Sequence, residues 1–129
     1  MILDTSFIID FLAGVPAALQ KMKELDEKGI PQLVTVISLF ELESGVAQSQ
    51  NPAQEKKKIT NALQNQTMIV LDEQSASLAG EIDGLLCKEG KPIEPEDCMI
   101  AGIAKRYTQP ILTRDKHFQR IKDITIETY

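Results

Sequence analysis

Short, almost wholly apolar runs alternate with helical patterns along this chain, and that alternation restricts the fold more than any other feature. The runs predict five strands, at residues 2–3, 33–36, 68–71, 110–113 and 124–126. Strands that are apolar on both faces are typical of a parallel sheet covered by helices on both sides. The sequence therefore predicts an α/β fold with a central, mostly parallel sheet of about five strands.

Length and composition limit the class of protein. A chain of 129 residues, 43% apolar and 26% charged, is expected to form one domain, residues 1–129, with its own core. No apolar run is long enough to cross a bilayer and no basic segment precedes the first strand, so a cytoplasmic protein is expected. Cys87 and Cys98 match neither a zinc pattern nor a redox pair, and buried free thiols are predicted.

Four acidic residues stand where a strand passes into a helix, or in the first turn of that helix: Asp4, Glu41, Asp97 and Asp115. Each has a structural explanation when it is taken alone. Asp4 suits the N-cap of the first helix, and Glu41 stands three residues after Ser38, the spacing of a capping box. A negative charge in a first helical turn is stabilised by the helix dipole, which explains Asp97, and Asp115 suits the cap of a turn.

Taken together, the four acids predict a binding site. In open α/β sheets, ligands bind outside the carboxyl ends of the strands, so acids at several strand ends can converge there. Converging carboxylates repel one another unless a cation holds them together. Oxygen ligands with little nitrogen or sulfur suit Mg2+ or Mn2+, which most often serve phosphate chemistry. The acids therefore indicate a metal-dependent enzyme that acts on phosphodiesters.

Polar and basic side chains near the same edge are candidates for contacting a substrate. Thr5, Ser6 and Thr113 offer hydroxyls that can orient a water or a phosphate oxygen, although such hydroxyls usually satisfy local backbone groups. Arg114 and Lys116 flank the fourth acid and are candidates for gripping a phosphate backbone; solvated side chains are the alternative. The single histidine leaves little material for a zinc site or a Ser-His-Asp relay.

The overall charge opposes nucleic-acid binding, because the chain has a net charge of -5 and a pI near 4.9. Its distribution tempers that objection. Residues 105–122 contain six basic residues and one acid, which predicts a basic rim beside the acidic site, or simply a solvated surface. Glu43 and Glu96 neighbour the site acids and are possible substitutes for them, and the remaining acids, Asp10 among them, are assigned to polar helix faces, caps or strand ends.

Four blocks of the sequence resemble the PIN-domain ribonucleases, and among these the VapC toxins of toxin–antitoxin pairs. They are residues 1–6 with 9–10, residues 40–45, residues 97–104 and residues 112–118, which read MILDTS with ID, FELESG, DCMIAGIA and LTRDKHF. The blocks follow the family's order and spacing, and the resemblance covers essentially the whole chain.

The resemblance implies a three-layer α/β/α domain, an endoribonuclease that hydrolyses RNA phosphodiester bonds with Mg2+ or Mn2+. It maps the family's metal-binding acids onto Asp4, Glu41, Asp97 and Asp115. It further implies a homodimer and a small antitoxin protein whose C-terminal segment enters the active-site groove. For hydrolysis by a metal-bound water, we expect Asp4, Asp97 and Asp115 to bind the metal directly. We expect Glu41 to bind it directly or through water, and one carboxylate to act as general base.

Other classes of protein fit the sequence less well. A receiver-like domain needs paired acids after its first strand, where this chain offers only Asp4. A phosphohydrolase with an aspartate nucleophile needs a second aspartate two positions on, where Ser6 stands. A module of the same fold that binds RNA or a protein without turnover stays open as the alternative.

Overall fold

A five-stranded parallel sheet forms the centre of the structure, a computed structural model that describes residues 1–129. The strand order is β3-β2-β1-β4-β5, and every neighbouring pair is parallel. The strands are β1 (Ile2–Leu3), β2 (Leu33–Thr35), β3 (Thr67–Ile69), β4 (Ile111–Leu112) and β5 (Ile126–Glu127). The predicted parallel α/β sheet is confirmed.

Helices cover both faces of this sheet. They are α1 (Thr5–Leu12), α2 (Pro16–Glu27), α3 (Val36–Gln48), α4 (Pro52–Leu63), α5 (Glu73–Lys88) and α6 (Pro95–Tyr107), with a 3₁₀ turn at Lys116–Arg120. None of the helices has the length and continuous apolar character that crossing a bilayer requires.

The alternation of side chains along the two central strands divides the core in two. Ile2 pairs with Ile111 and Leu3 with Leu112, and successive residues of a strand point to opposite faces. Ile2 and Ile111 pack with residues of α5 and α6, whereas Leu3 and Leu112 pack with residues of α1 to α4. The result is the predicted three-layer α/β/α arrangement.

Helices α5 and α6 pack closely against each other, and their approach depends on Gly102. A Cβ atom added at Gly102 would lie 2.4 Å from the backbone oxygen of Ser75 and 2.8 Å from both N and Cβ of Ala79. The absence of a side chain at this position therefore sets how closely the two helices approach. Cys98, in the same helix, is buried, and burial raises the pKa of its thiol to about 12, with Asp83 adding to the effect.

Three sequence-based expectations are wrong in detail. β1 has the predicted bounds, but β2 to β5 are shorter than predicted. The second strand ends at Thr35 because Thr35 is the N-cap of α3, which starts at Val36. That cap also replaces the predicted Ser38–Glu41 capping box. Cys87 is exposed, not buried, because it lies in the last turn of α5 on the face turned away from the core.

Candidate functional site

Asp4 is held in a fixed orientation at the end of β1. It is buried and forms the N-cap of α1, with the Ser6 backbone N–H donating to its Oδ2 at 3.3 Å. The hydroxyls of Ser6 and Thr113 each donate to the same oxygen at 2.7 Å. Because β4 lies beside β1, Thr113 reaches Asp4 from the neighbouring strand end. All these bonds use Oδ2, so Oδ1 has no hydrogen-bond donor from the protein.

Glu41 is held by a second hydroxyl. It lies one turn into α3, and Thr5 donates to its Oε1 at 2.8 Å. The Thr5 Oγ1 also lies 2.9 Å from Ser38 Oγ. A hydroxyl has one proton, and the carboxylate is the stronger acceptor, so we assign that proton to the bond with Glu41. Glu41 is therefore tied to α1 rather than to the start of its own helix.

Asp115 caps the 3₁₀ turn that follows β4. Its Oδ1 accepts from the backbone N–H of His117 at 2.9 Å and lies 2.8 Å from His117 Nδ1. Its own backbone N–H donates to Thr113 Oγ1 at 2.9 Å. The Thr113 hydroxyl therefore links two of the predicted site acids, because it donates to Asp4 and accepts from the backbone of Asp115.

Asp97 differs from the other acids in having no hydrogen-bond partner for its carboxylate. It is half-buried in the first turn of α6. Burial, and after it the negative charges of Asp4, Asp115 and Glu41 in that order, together raise the pKa of Asp97 to about 7. The pKa of an aspartate responds in this way only to charges that lie near it.

The pKa of Glu41 also indicates that other acids lie near it. Burial raises it, the hydrogen bond from Thr5 opposes the rise, and Asp4, Glu96 and Asp115 add to it. Asp4 and Asp115 therefore lie near both Asp97 and Glu41, and Glu96 lies close enough to affect Glu41. Glu43 instead forms an ion pair with Lys56. We refer to Asp4, Glu41, Asp97 and Asp115 together as the acid cluster.

The acid cluster does not form a complete metal-binding site in the observed side-chain conformations. No three acidic, histidine or cysteine side chains are arranged so that they could hold a metal ion as they stand. The pKa effects and this geometry are compatible, because charges influence one another over longer distances than a coordination bond spans. Side-chain rotation would be needed to bring the oxygens onto one ion.

The predicted substrate-contacting residues divide into two groups. The hydroxyls of Thr5, Ser6 and Thr113 bond to Glu41 and Asp4. Arg114 and Lys116 are exposed on either side of Asp115.

The rest of the predicted basic rim is partly occupied by protein contacts. Arg106 lies 3.8 Å from Asp72, and Arg120 donates to the Pro92 carbonyl at 2.9 Å. Arg114 and Lys116 are therefore the rim residues that flank a site acid.

Asp10 is a residue whose environment the sequence analysis missed. It is 8% exposed, accepts from the Tyr129 hydroxyl at 2.7 Å and lies 3.2 Å from Arg114 Nε. The assignment to a polar helix face is wrong, because both partners come from the far end of the chain. The available signal was its spacing: Asp10 is three residues after Phe7, on the apolar side of α1.

Replacing Thr113 with valine tests the contacts that fix Asp4. The change removes one of three donors to a buried carboxylate, so we expect the free energy of unfolding to fall by about 1 kcal/mol. Urea denaturation measures it. The same change at the exposed Thr60 is the control and should cost less than about 0.5 kcal/mol. Equal losses at both positions would show that the Thr113 hydroxyl does not stabilise the site.

The chain is similar to known proteins over nearly its whole length. The family described as the PIN domain matches residues 1–124. A curated relative from Shigella flexneri, named tRNA(fMet)-specific endonuclease VapC, is 27% identical over 128 residues, which are 98% of this chain and 96% of the relative. The resemblance to VapC proteins read from the sequence is confirmed.

Solved structures share the fold. A chain in the crystal structure of DNA-bound VapBC from Salmonella typhimurium is 26% identical, with a TM-score of 0.89 over 98% of this chain and 96% of that one. A chain of VapBC2 from Rickettsia felis, bound to a DNA fragment from the promoter, has a TM-score of 0.91 at 23% identity, over 99% of this chain and 97% of that one.

Proposed function

Because the chain belongs to the PIN domain family, we propose that it is a metal-dependent endoribonuclease that hydrolyses RNA phosphodiester bonds. The observation that carries the proposal is the acid cluster, in which Asp97 has a pKa near 7 and no hydrogen-bond partner. Relatives named endonuclease VapC and solved VapBC complexes support its role as the toxin of a VapBC-type pair. On this proposal the partner is a small antitoxin protein, and the setting is cytoplasmic.

The donor set fits Mg2+ or Mn2+. Asp4 Oδ1, Asp97 and Asp115 supply oxygen atoms only, which hard divalent ions prefer. When bound, the ion supplies positive charge to the phosphodiester oxygens and lowers the pKa of water. Asp4 is already oriented by Ser6 and Thr113, so it serves as the fixed ligand.

The other acids have different roles in this proposal. Asp97 and Asp115 would provide further oxygen ligands, and a bound cation would offset the repulsion that raises the pKa of Asp97. Thr5 holds Glu41 through Oε1, so its other oxygen would bind the ion through water or accept the proton of the attacking water.

Assembly is the remaining part of the proposal. We take the functional form to be a homodimer, as the resemblance implies. Sedimentation equilibrium of the purified chain, alone and with a candidate antitoxin, measures both interactions.

Cleavage of a labelled RNA tests the function directly. The first substrate to test is tRNA(fMet), because the Shigella relative is named as an endonuclease specific for that tRNA. We expect cleavage with Mn2+ or Mg2+, none with a chelator, and at least a 100-fold lower rate for Asp97→Asn, since one metal ligand is lost. A gel of end-labelled products measures the rate and the cut position.

The matched control is Glu81→Gln, which removes one negative charge from an exposed position on α5. It should leave the rate within about twofold of the unsubstituted protein. Binding of RNA without any metal-dependent cleavage would contradict the proposal and favour a PIN-fold binding module without turnover.

A further inference from the structure

We propose that Asp10 and Tyr129 are positioning residues that hold the Arg114 guanidinium beside the acid cluster, where it contacts a phosphate of the RNA. The inference rests on the proposed function and extends it to the residues that bind substrate. It starts from the buried carboxylate of Asp10, which the proposed cleavage chemistry does not use.

A buried carboxylate is costly unless it is paired and hydrogen-bonded. Asp10 lies in α1 and is 8% exposed, and it has two partners from other parts of the chain. Tyr129, two residues after β5, donates its hydroxyl to Oδ2 at 2.7 Å, and Arg114 Nε lies 3.2 Å from the same oxygen. Three separate segments therefore meet at one oxygen atom.

The Tyr129 side chain is itself fixed. Its ring packs edge-on against Phe7, with the ring centroids 4.9 Å apart and the planes at 85°. Phe7 is fully buried, so this contact anchors the tyrosine to the core. Burial and the bond to Asp10 raise the pKa of the tyrosine hydroxyl. The hydroxyl therefore stays protonated and remains a donor to Asp10.

Arg114 has its backbone and part of its side chain fixed, and the rest of the guanidinium free. Its backbone N–H donates to Ser6 Oγ at 3.4 Å, next to Asp4, and it directly precedes Asp115 in the chain. Its side chain is 57% exposed, and only Nε has a partner in the protein. The two Nη groups can donate to a phosphate in the forked geometry that suits arginine.

The charge of the site explains why a fixed guanidinium is needed. The chain has a net charge of -5, and the acid cluster adds to the repulsion of a phosphate backbone. A cation held next to Asp115 offsets that repulsion at the place where the scissile strand must enter. A freely rotating lysine such as Lys116 loses more side-chain entropy when it makes the same contact.

The test separates substrate binding from turnover. For Arg114→Ala we expect KM for tRNA to rise about tenfold, kcat to stay within about twofold, and the slope of log Kd against log salt concentration to fall by about 0.7, the value of one phosphate contact on single-stranded nucleic acid. Asp10→Asn and Tyr129→Phe should each raise KM about threefold. Arg114→Lys should also have a raised KM, because a lysine ammonium lacks the planar, forked set of donors with which a guanidinium binds phosphate.

A double-mutant cycle tests whether Asp10 and Tyr129 act through Arg114. In the Arg114→Ala background, Asp10→Asn and Tyr129→Phe should add nothing to KM, since the group that they position is gone. The control is Lys21→Ala, which removes an ion pair of 3.1 Å to Glu127 in the same terminal segment. It loosens that segment and removes one positive charge, but it should leave KM and the salt slope unchanged.

Two results would overturn the inference. One is an unchanged KM and salt slope in Arg114→Ala. The other is that the effects of Asp10→Asn and Arg114→Ala on KM are fully additive. Additivity would mean that Asp10 only holds the terminal segment in place and does not act through Arg114. Thermal melts of each variant identify any loss of folding, and Tyr129→Phe keeps the ring in place if Asp10→Asn is too unstable to assay.

Failure of the proposed function has a different signature. RNA that binds without being cleaved, with the salt slope still reduced by Arg114→Ala, would remove the nuclease activity and keep the positioning role. Cleavage by the unsubstituted protein with no effect of Arg114→Ala would do the reverse.

Discussion

Replacing Gly102 with alanine is expected to lower the free energy of unfolding by about 3 kcal/mol. The added Cβ would lie 2.4 Å from the backbone oxygen of Ser75, a distance that no rotamer change can relieve. Helices α5 and α6 would have to separate, and the buried contacts between them would loosen. Urea denaturation followed by circular dichroism measures the loss.

Gly84 provides a matched control, because it lies in α5 with nothing within 4 Å of an added Cβ. The same change there should stabilise the protein by about 0.5 to 1 kcal/mol, since alanine favours the helix over glycine. The two substitutions therefore have opposite expected signs. A Gly102→Ala variant as stable as the parent would mean that the helices do not pack as closely as described.

Asp97→Asn is expected to stabilise the metal-free protein at pH 8, although it slows RNA cleavage. The pKa of Asp97 rises from 3.8 to about 7 on folding, which would correspond to about 4 kcal/mol for a fully buried group. Solvent screens a half-buried carboxylate, and the charge also favours the helix N-terminus, so we expect a net gain of about 1 to 2 kcal/mol.

The pH dependence gives the sign of this effect. Between about pH 4 and 7 the unfolded chain has lost the Asp97 proton and the folded protein retains it, so ionisation opposes folding as the pH rises. The advantage of Asp97→Asn over the unsubstituted protein should therefore be absent below pH 4, grow up to pH 7 and stay constant above it. Thermal melts at pH 4, 5.5 and 8 measure it.

Metal addition reverses the comparison. Mg2+ or Mn2+ at pH 8 should raise the melting temperature of the unsubstituted protein, because the ion binds the folded state only. The Asp97→Asn variant should respond much less. Asp72→Asn is the control, because Asp72 caps α5 and its pKa is lowered by Ser75, so no gain is expected. If Asp97→Asn is destabilised and metal has no effect on the unsubstituted protein, then Asp97 only stabilises the N-terminus of α6 through its charge.

The sequence predicted those elements whose signals are local. Helix α5 has such signals at both ends, because Asp72 caps its start and Gly90, with φ of 71°, follows its end. Short strands were harder to bound, since a residue such as Thr35 is both the last of a strand and the cap of the next helix. Thr35 and Ser38 are two acceptable caps three residues apart, and sequence alone does not choose between them.

The predicted site followed from chain topology. Asp4 and Asp115 lie at the ends of neighbouring parallel strands, which the alternation of strands and helices already implied. The environment of Asp10 did not follow, because its partner Tyr129 is 119 residues away in the sequence and no periodic pattern links them. The distances between the acids were beyond sequence analysis as well, since they depend on side-chain rotamers.

The order of the strands also bears on how the protein is made. Asp4 leaves the ribosome well before Thr113, which orients it and is synthesised 109 residues later. Because β1 pairs with β4 only when both exist, a nascent chain that lacks β4 cannot assemble the acid cluster. If the protein cleaves RNA, its own synthesis therefore delays the activity until β4 has been translated.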